Sequence, residues 1–228
     1  APVHWTDGTV FALQAIGEKA REVGAVFVID GTQSVGALPF DVEELQPDAL
    51  IVASYKWLMG PYSIGLGYFG PRFLDGIPLE ETWIAREGSE DFQALVDYRD
   101  GYQPGAVRFD VGERSNFILV PMLAQALRLI LQWRPDRIQA YTARLSQPLL
   151  EEAASLGYSV EEPAFRAGHI FGLRRPEGLA MARLEQALRH EGVSASLRGT
   201  ALRVSPNVYN DGADMEALGR ALRAAVTG

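Results

Sequence analysis

Two side chains that could act on one ligand, an acid and an amine, each follow an apolar run of this sequence. Asp30 comes directly after the run Ala25–Ile29, and Lys56 comes three residues after the run Ala49–Ala53. Short apolar runs rich in β-branched residues are typical of buried strands. Because ligands of open α/β sheets bind at the carboxyl ends of parallel strands, we expect Asp30 and Lys56 to face the same ligand.

This pair of side chains meets the needs of one cofactor, pyridoxal phosphate. A carboxylate beside the pyridine nitrogen keeps it protonated, and a lysine can hold the aldehyde as a Schiff base. Lys56 lies between Tyr55 and Trp57, where desolvation is expected to disfavour its ammonium and make the amine nucleophilic. The alternatives are a carboxylate that only stabilises a turn and a lysine that only extends its ammonium to solvent.

The segments around both residues resemble one known family. Residues 30–36 (DGTQSVG) and 54–58 (SYKWL) are similar in order and spacing to motifs of class V aminotransferases, which have the aspartate-aminotransferase fold. That family includes aminotransferases, kynureninases, cysteine desulfurases and isopenicillin N epimerase. The lysine motif is most similar to that of kynureninases, because desulfurases carry a histidine at the position of Tyr55. The resemblance implies pyridoxal 5'-phosphate as the cofactor and continues to the C-terminus.

The resemblance also implies the roles of residues that contact the cofactor. Asp30 would pair with the ring nitrogen, and Gln33 would hydrogen-bond the ring oxygen. Lys56 would carry the Schiff base and then remove the α-proton of the substrate. Ser54 and Tyr55 are expected to donate hydroxyl hydrogen bonds to the phosphate.

Other residues match family positions farther along the chain. Arg203 corresponds to the arginine that binds the substrate α-carboxylate, which a guanidinium can grip with two parallel hydrogen bonds. Ser115 and Asn116 precede a predicted helix, and the resemblance implies that their turn reaches the phosphate of the other subunit's cofactor. Glu113 replaces a residue that is usually threonine in this turn, and Trp83 resembles an aromatic residue offered across the kynureninase dimer.

Composition excludes some classes of protein and partner. The 228 residues carry a net charge of −8, which argues against nucleic acid and anionic membranes as partners. The sequence has no cysteine, and its three histidines lack metal-ligand spacing, so no metal site is expected. We expect a cytoplasmic protein. A persulfide-forming desulfurase is not expected from these residues, because its nucleophile is a cysteine.

The expected fold is α/β, with an incomplete large domain of the pyridoxal-phosphate transferases followed by a small α+β domain. The large domain would span residues 1–134, with a mostly parallel sheet and helices on both faces, and the small domain would span residues 135–228. We interpret the chain as the C-terminal part of a longer enzyme.

Several predicted elements can be tested directly against the structure. The sequence predicts helices at Val10–Val23, Pro71–Leu74 and Asp136–Leu156, and a strand at Tyr158–Glu161. The segment Phe117–Trp133 is apolar around most of its circumference, so we expect a helix that is buried between domains rather than a membrane span.

The function predicted from these features is that of a class V aminotransferase acting on an α-amino acid and a keto acid. A kynureninase-like hydrolase or lyase, another class V enzyme such as an epimerase, and a non-catalytic binding protein of the same fold are the alternatives. We interpret residues 76–105 as a long loop or subunit-contact arm, and a homodimer is expected.

Overall fold

The computed structural model describes residues 1–227, which form two compact units. The lysine unit comprises Leu13–Thr32 and Asp41–Arg128, and the C-terminal unit comprises Ala1–Ala12, Gln33–Phe40 and the chain from Leu129 onward. The chain therefore enters the C-terminal unit three times, whereas the predicted division was a single boundary near Pro135. The assignment of residues 1–134 to the large domain of a complete enzyme stays a prediction.

The lysine unit contains a three-stranded sheet of β1 (Val28–Asp30), β2 (Ala49–Ala53) and β3 (Gly65–Phe69), in that order. β1 is parallel to β2, as expected, and β3 is antiparallel to β2. A parallel return needs a crossover of roughly a dozen residues or more, usually a helix. Residues 54–64, which join β2 to β3, contain no helix. The expectation of a mostly parallel sheet therefore holds for the first pairing and not for the second.

The first two helices of this unit are α1 (Leu13–Glu22) and the single turn α2 (Val42–Leu45). α1 starts three residues later than predicted because the backbone N–H groups of Val10 and Phe11 donate to carbonyls outside the helix, at 2.9 and 3.0 Å. It ends as predicted, because Gly24 adopts a φ of +70° and its N–H donates to the Arg21 carbonyl.

The third helix, α3 (Leu119–Trp133), buries one stripe only. Leu123, Ala126 and Ile130 are at most 7% exposed and recur at helical spacing, whereas Met122 is 53% and Leu131 is 74% exposed. The burial of this helix between domains stays a prediction. No helix within residues 1–227 has both the length and the apolar content needed to span a bilayer.

The connections of the lysine unit are largely irregular. The predicted helix Pro71–Leu74 is wrong, because this segment forms successive turns in which Phe73 N–H donates to the Gly70 carbonyl and Gly76 N–H to the Phe73 carbonyl. Residues 76–105 form a long loop, as expected. It contains the 3-10 turn Trp83–Ala85, and a second 3-10 turn, Gly105–Phe109, begins at its last residue.

The C-terminal unit has an antiparallel sheet with the order β4-β6-β5 and three long helices. The strands are β4 (Phe171–Arg174), β5 (Ser196–Arg198) and β6 (Ala201–Val204), and the helices are α4 (Pro135–Ser155), α5 (Met181–His190) and α6 (Gly212–Thr227). One face of the sheet and the three helices enclose a single apolar core that includes Phe171, Leu173, Leu184, Leu202 and Leu222.

The helix predicted at Asp136–Leu156 is confirmed as α4, whereas one predicted strand of this unit differs in the structure. α4 runs through Pro148 as one helix, because the turn after the proline buries Leu149, Leu150 and Ala153 in the core and packing outweighs the one lost backbone bond. The predicted strand Tyr158–Glu161 is wrong, because it is reduced to a single bridge between Ser159 and Arg174.

The other face of this sheet is polar, and we call it the arginine face. Residues alternate between the two faces of a strand, so the β5–β6 register that pairs Ser196 with Arg203 also places Arg198 on the same face as Arg203. β4 adds Gly172 and Arg174 to this face. A Cβ at Gly172 would lie 2.9 Å from the Cβ of Asp7, so the N-terminal segment packs directly on this face.

Candidate active site

Asp30 lies at the carboxyl end of β1, in a turn that is bonded to β2. Gly31 N–H donates to the Ile51 carbonyl at 2.8 Å, and Ala53 N–H donates to Thr32 Oγ1 at 3.1 Å. Asp30 Oδ1 accepts from Thr32 N–H at 2.9 Å, and Oδ2 has no hydrogen-bond partner within residues 1–227. The turn therefore fixes an exposed carboxylate and leaves one of its oxygens available.

Lys56 lies in the loop that joins β2 to β3, residues 54–64, which we call the lysine loop. Ser54 N–H donates to the Ile64 carbonyl at 3.2 Å, Gly60 N–H to the Ser54 carbonyl at 2.9 Å, and Met59 N–H to the Lys56 carbonyl at 3.0 Å. A Cβ at Gly60 would lie 2.8 Å from the Ser54 Cβ, so this close approach requires glycine. The backbone that carries Lys56 is thus set by internal hydrogen bonds.

The side chain of Lys56 is half-buried and makes no hydrogen bond or ion pair through its ammonium within the described chain. Its Nζ lies 5.6 Å from the centroid of the Tyr55 ring, which stacks on Tyr62 at 4.3 Å. The expected desolvation is therefore partial. The sequence has one other lysine, Lys19, which is exposed on α1 and paired with Glu22 at 2.6 Å.

Ser54 has a structural role in the lysine loop. Its side chain is fully buried, and Oγ donates to the Pro61 carbonyl at 2.5 Å, across the base of the loop. This bond closes the loop, and the phosphate contact expected of Ser54 stays a prediction. Tyr55 is 39% exposed, and its expected phosphate contact stays a prediction.

Asn116 also has a structural role. Its Oδ1 accepts from Ile118 N–H at 3.2 Å and from Leu119 N–H at 2.8 Å, which caps the start of α3. Ser115 is exposed and has no hydrogen-bond partner for its hydroxyl within residues 1–227. A phosphate contact at this turn therefore stays a prediction for Ser115, while the side-chain oxygen of Asn116 is used by the helix.

Gln33 belongs to the C-terminal unit, where its backbone is anchored by a residue that was not expected in the site. His169 is fully buried and donates from Nε2 to the Gln33 carbonyl at 2.8 Å. The Gln139 amide donates to His169 Nδ1 at 2.6 Å and to the Ala37 carbonyl at 2.8 Å. Burial lowers the pKa of His169 to about 4, so the ring is neutral. The sequence offered one signal for the structural role of His169, because it is a histidine within the apolar run before β4.

Arg203 projects from the arginine face. Its Nη1 donates to the Trp5 carbonyl at 2.8 Å, and its Nη2 donates to Ser196 Oγ at 3.4 Å. No carboxylate of the described chain forms an ion pair with it. This is the state expected of a guanidinium reserved for a substrate carboxylate, although the assignment itself stays a prediction.

Trp83 packs edge-on against Phe92 at 6.0 Å within the long loop.

These residues fit the chemistry of pyridoxal phosphate. The carboxyl ends of two adjacent parallel strands present a carboxylate with an available oxygen and, on the loop after the second strand, an unpaired lysine ammonium. Asp30 would hold the ring nitrogen and Lys56 the aldehyde carbon.

Comparison with known proteins identifies the family. Residues 2–218 match the family model described as aminotransferase class-V. The aminotransferase YcbU of Bacillus subtilis, itself uncharacterized, is 27% identical over 93% of this chain and 55% of its own length. A cysteine desulfurase of Synechococcus elongatus is 29% identical over 97% of this chain and 36% of its own length.

A solved structure has the same fold. Apo cysteine desulfurase from Thermococcus onnurineus NA1 superposes with a TM-score of 0.76 and 23% identity, over 99% of this chain and 58% of its own. At that identity the likeness shows the fold alone, and it confirms the expected α/β class. The chain spans about half the length of several of the relatives it matches. The match to the family model over almost the whole sequence shows that the chain belongs to the class V aminotransferase family, whose members depend on pyridoxal phosphate.

Proposed function

We propose that the protein is a pyridoxal-phosphate-dependent aminotransferase that acts on an α-amino acid and a keto acid through Lys56. The observation that carries the proposal is the lysine loop. It fixes an unpaired Lys56 after β2, the strand that lies beside the one ending in Asp30.

When bound, pyridoxal phosphate supplies an aldehyde that condenses with amines and a ring that accepts the electron pair left at the substrate α-carbon. Asp30 would keep a proton on the ring nitrogen. Lys56 Nζ would take the proton from the substrate α-carbon and deliver it to the carbon that was the aldehyde of the cofactor, as a general base and acid. Arg203 would bind the α-carboxylate.

A kynureninase-like hydrolase is the second candidate, because the motif SYKWL has a tyrosine before the lysine. In the structure this tyrosine, Tyr55, is stacked on Tyr62. An aromatic surface beside Lys56 suits an aromatic substrate as well as a cofactor ring. Desulfuration through an enzyme persulfide would need a cysteine, which these 228 residues do not contain.

The first test locates the cofactor. The full-length protein loaded with pyridoxal phosphate should absorb in the visible, and borohydride should attach the cofactor to the peptide that contains Lys56. Lys56→Ala should abolish both signals, whereas the matched control Lys19→Ala, on exposed α1, should leave them unchanged. Attachment to any other lysine would contradict the assignment.

The second test separates the reaction classes. In a transaminase the visible absorbance should fall when an amino acid is added alone and return when pyruvate or 2-oxoglutarate follows. In a kynureninase-like enzyme the absorbance should persist while kynurenine yields anthranilate. A spectrum that no amino acid perturbs would favour a non-catalytic protein of the same fold.

We also propose a homodimer. The long loop 76–105 exposes large apolar side chains, with Phe92 75%, Val96 80% and Tyr98 93% exposed. Exposed apolar clusters of this kind favour a protein interface. Light scattering of the full-length protein at micromolar concentration should give the mass of two chains, and a monomer there would contradict the proposal.

A cytoplasmic location stays a prediction.

A further inference from the structure

Three guanidiniums project from the arginine face, and they differ in their partners. Arg174 pairs with Asp7 at 2.9 Å and with Glu161 at 2.5 Å. Arg198 and Arg203 form no ion pair with any carboxylate of residues 1–227. The same face therefore carries one neutralised cation and two cations without a counter-charge.

The neighbours of the two unpaired arginines offer only neutral groups. Arg198 donates from Nη1 to the carbonyl of Leu197 at 3.2 Å, and its guanidinium lies 5.7 Å from the centroid of the Trp5 ring. Arg203 bonds the Trp5 carbonyl and Ser196 Oγ, as described above. The Nε atoms of both arginines are buried and have no hydrogen-bond partner within the described residues.

This arrangement is electrostatically unfavourable without an anion. Burial and the nearby Arg198 charge lower the pKa of Arg203, which shows that the two cations repel each other. Asp7, an acid on this side of the sheet, is already engaged by Thr9 at 2.9 Å, by His4 at 3.0 Å and by Arg174. Buried or half-buried charges are normally paired, so this pair of arginines favours a ligand that carries the counter-charge.

The β5–β6 register sets the spacing of the two cations. Arg203 is paired directly with Ser196, and Arg198 is two residues beyond Ser196 on the same strand. Such diagonal neighbours have Cβ atoms roughly 7–8 Å apart. At that separation each guanidinium can bind its own carboxylate, with two parallel hydrogen bonds each.

We propose that Arg198 is a specificity-determining residue that binds a second carboxylate, so that the substrates are dicarboxylic amino acids and keto acids. Arg203 takes the α-carboxylate, and Arg198 takes the distal one. This inference rests on the proposed function, which identifies the amino or keto group that reacts. The presence of two carboxylates on the substrate is inferred from the arginine face alone.

The kinetic test uses the full-length loaded protein with 2-oxoglutarate and pyruvate as amino acceptors. Arg198→Gln should reduce kcat/KM for 2-oxoglutarate about tenfold more than for pyruvate, mainly by raising KM. A tenfold change is the scale of one charged hydrogen-bonded contact. Arg203→Gln should reduce kcat/KM for both acceptors. Arg198→Lys should recover part of the preference, because the charge returns without the planar fork.

The matched control is Arg144→Gln, which removes one positive charge from an exposed position on α4. It should leave both acceptors unchanged. Equal losses for 2-oxoglutarate and pyruvate in Arg198→Gln would overturn the inference while the proposed function stands. A wild-type enzyme that preferred pyruvate would overturn it in the same way.

A binding measurement separates the inference from the proposed function. By calorimetry, glutarate should bind the full-length protein about tenfold more tightly than butyrate, and Arg198→Gln should remove that difference. If no amino acid is transaminated but glutarate still binds through Arg198, the proposed function fails and the dicarboxylate site stands. If glutarate and butyrate bind equally, the dicarboxylate site fails.

Discussion

The two sheets of the molecule differ in how their apolar residues are covered. In the C-terminal unit, Phe171, Leu173 and Leu202 are at most 1% exposed beneath three helices. In the lysine unit, Val28 is 55% and Ile51 is 45% exposed, although both lie in paired strands. The C-terminal sheet thus has its own complete core, whereas the lysine unit carries an open apolar face beside Asp30.

The two units also position their functional groups by different means. Lys56 is placed by backbone hydrogen bonds within one loop and by the close approach of Gly60 to Ser54. Arg198 and Arg203 are placed by strand register and by the N-terminal segment at Trp5. The placement of Lys56 is therefore sensitive to local backbone geometry, whereas the placement of Arg198 and Arg203 is sensitive to side-chain chemistry. Substitutions in each unit, and a change of pH, can test this contrast.

The largest effect is expected in the core of the C-terminal unit. Leu202→Ala should lower the free energy of unfolding by about 2–5 kcal/mol, because a fully buried side chain leaves a cavity. The matched change Ile51→Ala in the other sheet should cost less than about 1 kcal/mol, because the side chain is half in solvent already. Urea unfolding of the 228-residue chain measures both. Equal costs would remove the contrast between the sheets.

A smaller effect, confined to acidic solution, is expected from His169. Its pKa is about 4 when folded and 6.5 in the unfolded reference, so only the unfolded chain takes up a proton between these values. The contribution to stability is complete above pH 6.5, falls as the pH drops towards 4, and is flat below. It amounts to about 3 kcal/mol.

The control for this pH dependence is His169→Gln, which can still donate to the Gln33 carbonyl and does not titrate. Subtracting its stability profile from that of the wild type cancels the carboxylates and the histidines His4 and His190. The difference in the free energy of unfolding, wild type minus variant, should rise as the pH increases from 4 to 6.5. A flat difference would show that the pKa of His169 is the same in the folded and the unfolded chain, and would contradict this prediction.

The smallest of these effects is expected in the lysine loop. Gly60→Ala should cost about 1–3 kcal/mol, because its Cβ would overlap Ser54 and Leu123. It should also weaken cofactor retention by displacing the loop that carries Lys56. Gly212→Ala is the matched control, since no atom lies within 4 Å of the added Cβ. A neutral Gly60→Ala would show that the loop is not set by this contact.

The parts of the site that were predictable from sequence depend on regular structure. Apolar runs fix strands β1 and β2, and the chemistry of Asp30 and Lys56 follows from where those strands end. The end of α1 at Gly24 was likewise predictable, because a glycine directly after a helical pattern is a local signal.

The parts that were not predictable depend on tertiary contacts. The sequence could not show that the Ser54 hydroxyl donates to the Pro61 carbonyl, or that the side-chain oxygen of Asn116 caps a helix. Both residues have the right type for the predicted role. The antiparallel direction of β3 was predictable, because the connection from β2 is short and its length can be counted in the sequence. The anchoring of Gln33 by His169 was not predictable, because it joins positions 136 residues apart.

The placement of the β5–β6 hairpin has an evolutionary consequence. β5 is an edge strand that pairs with β6 alone, and its turn is made by exposed Gly199 and Thr200. Residues on the polar side of this hairpin can be exchanged without disturbing the packed side of the sheet. Single mutations can therefore exchange the side chain at position 198, the proposed specificity-determining residue, at little risk to folding, while the lysine loop tolerates few changes. We expect relatives to diverge first at this hairpin.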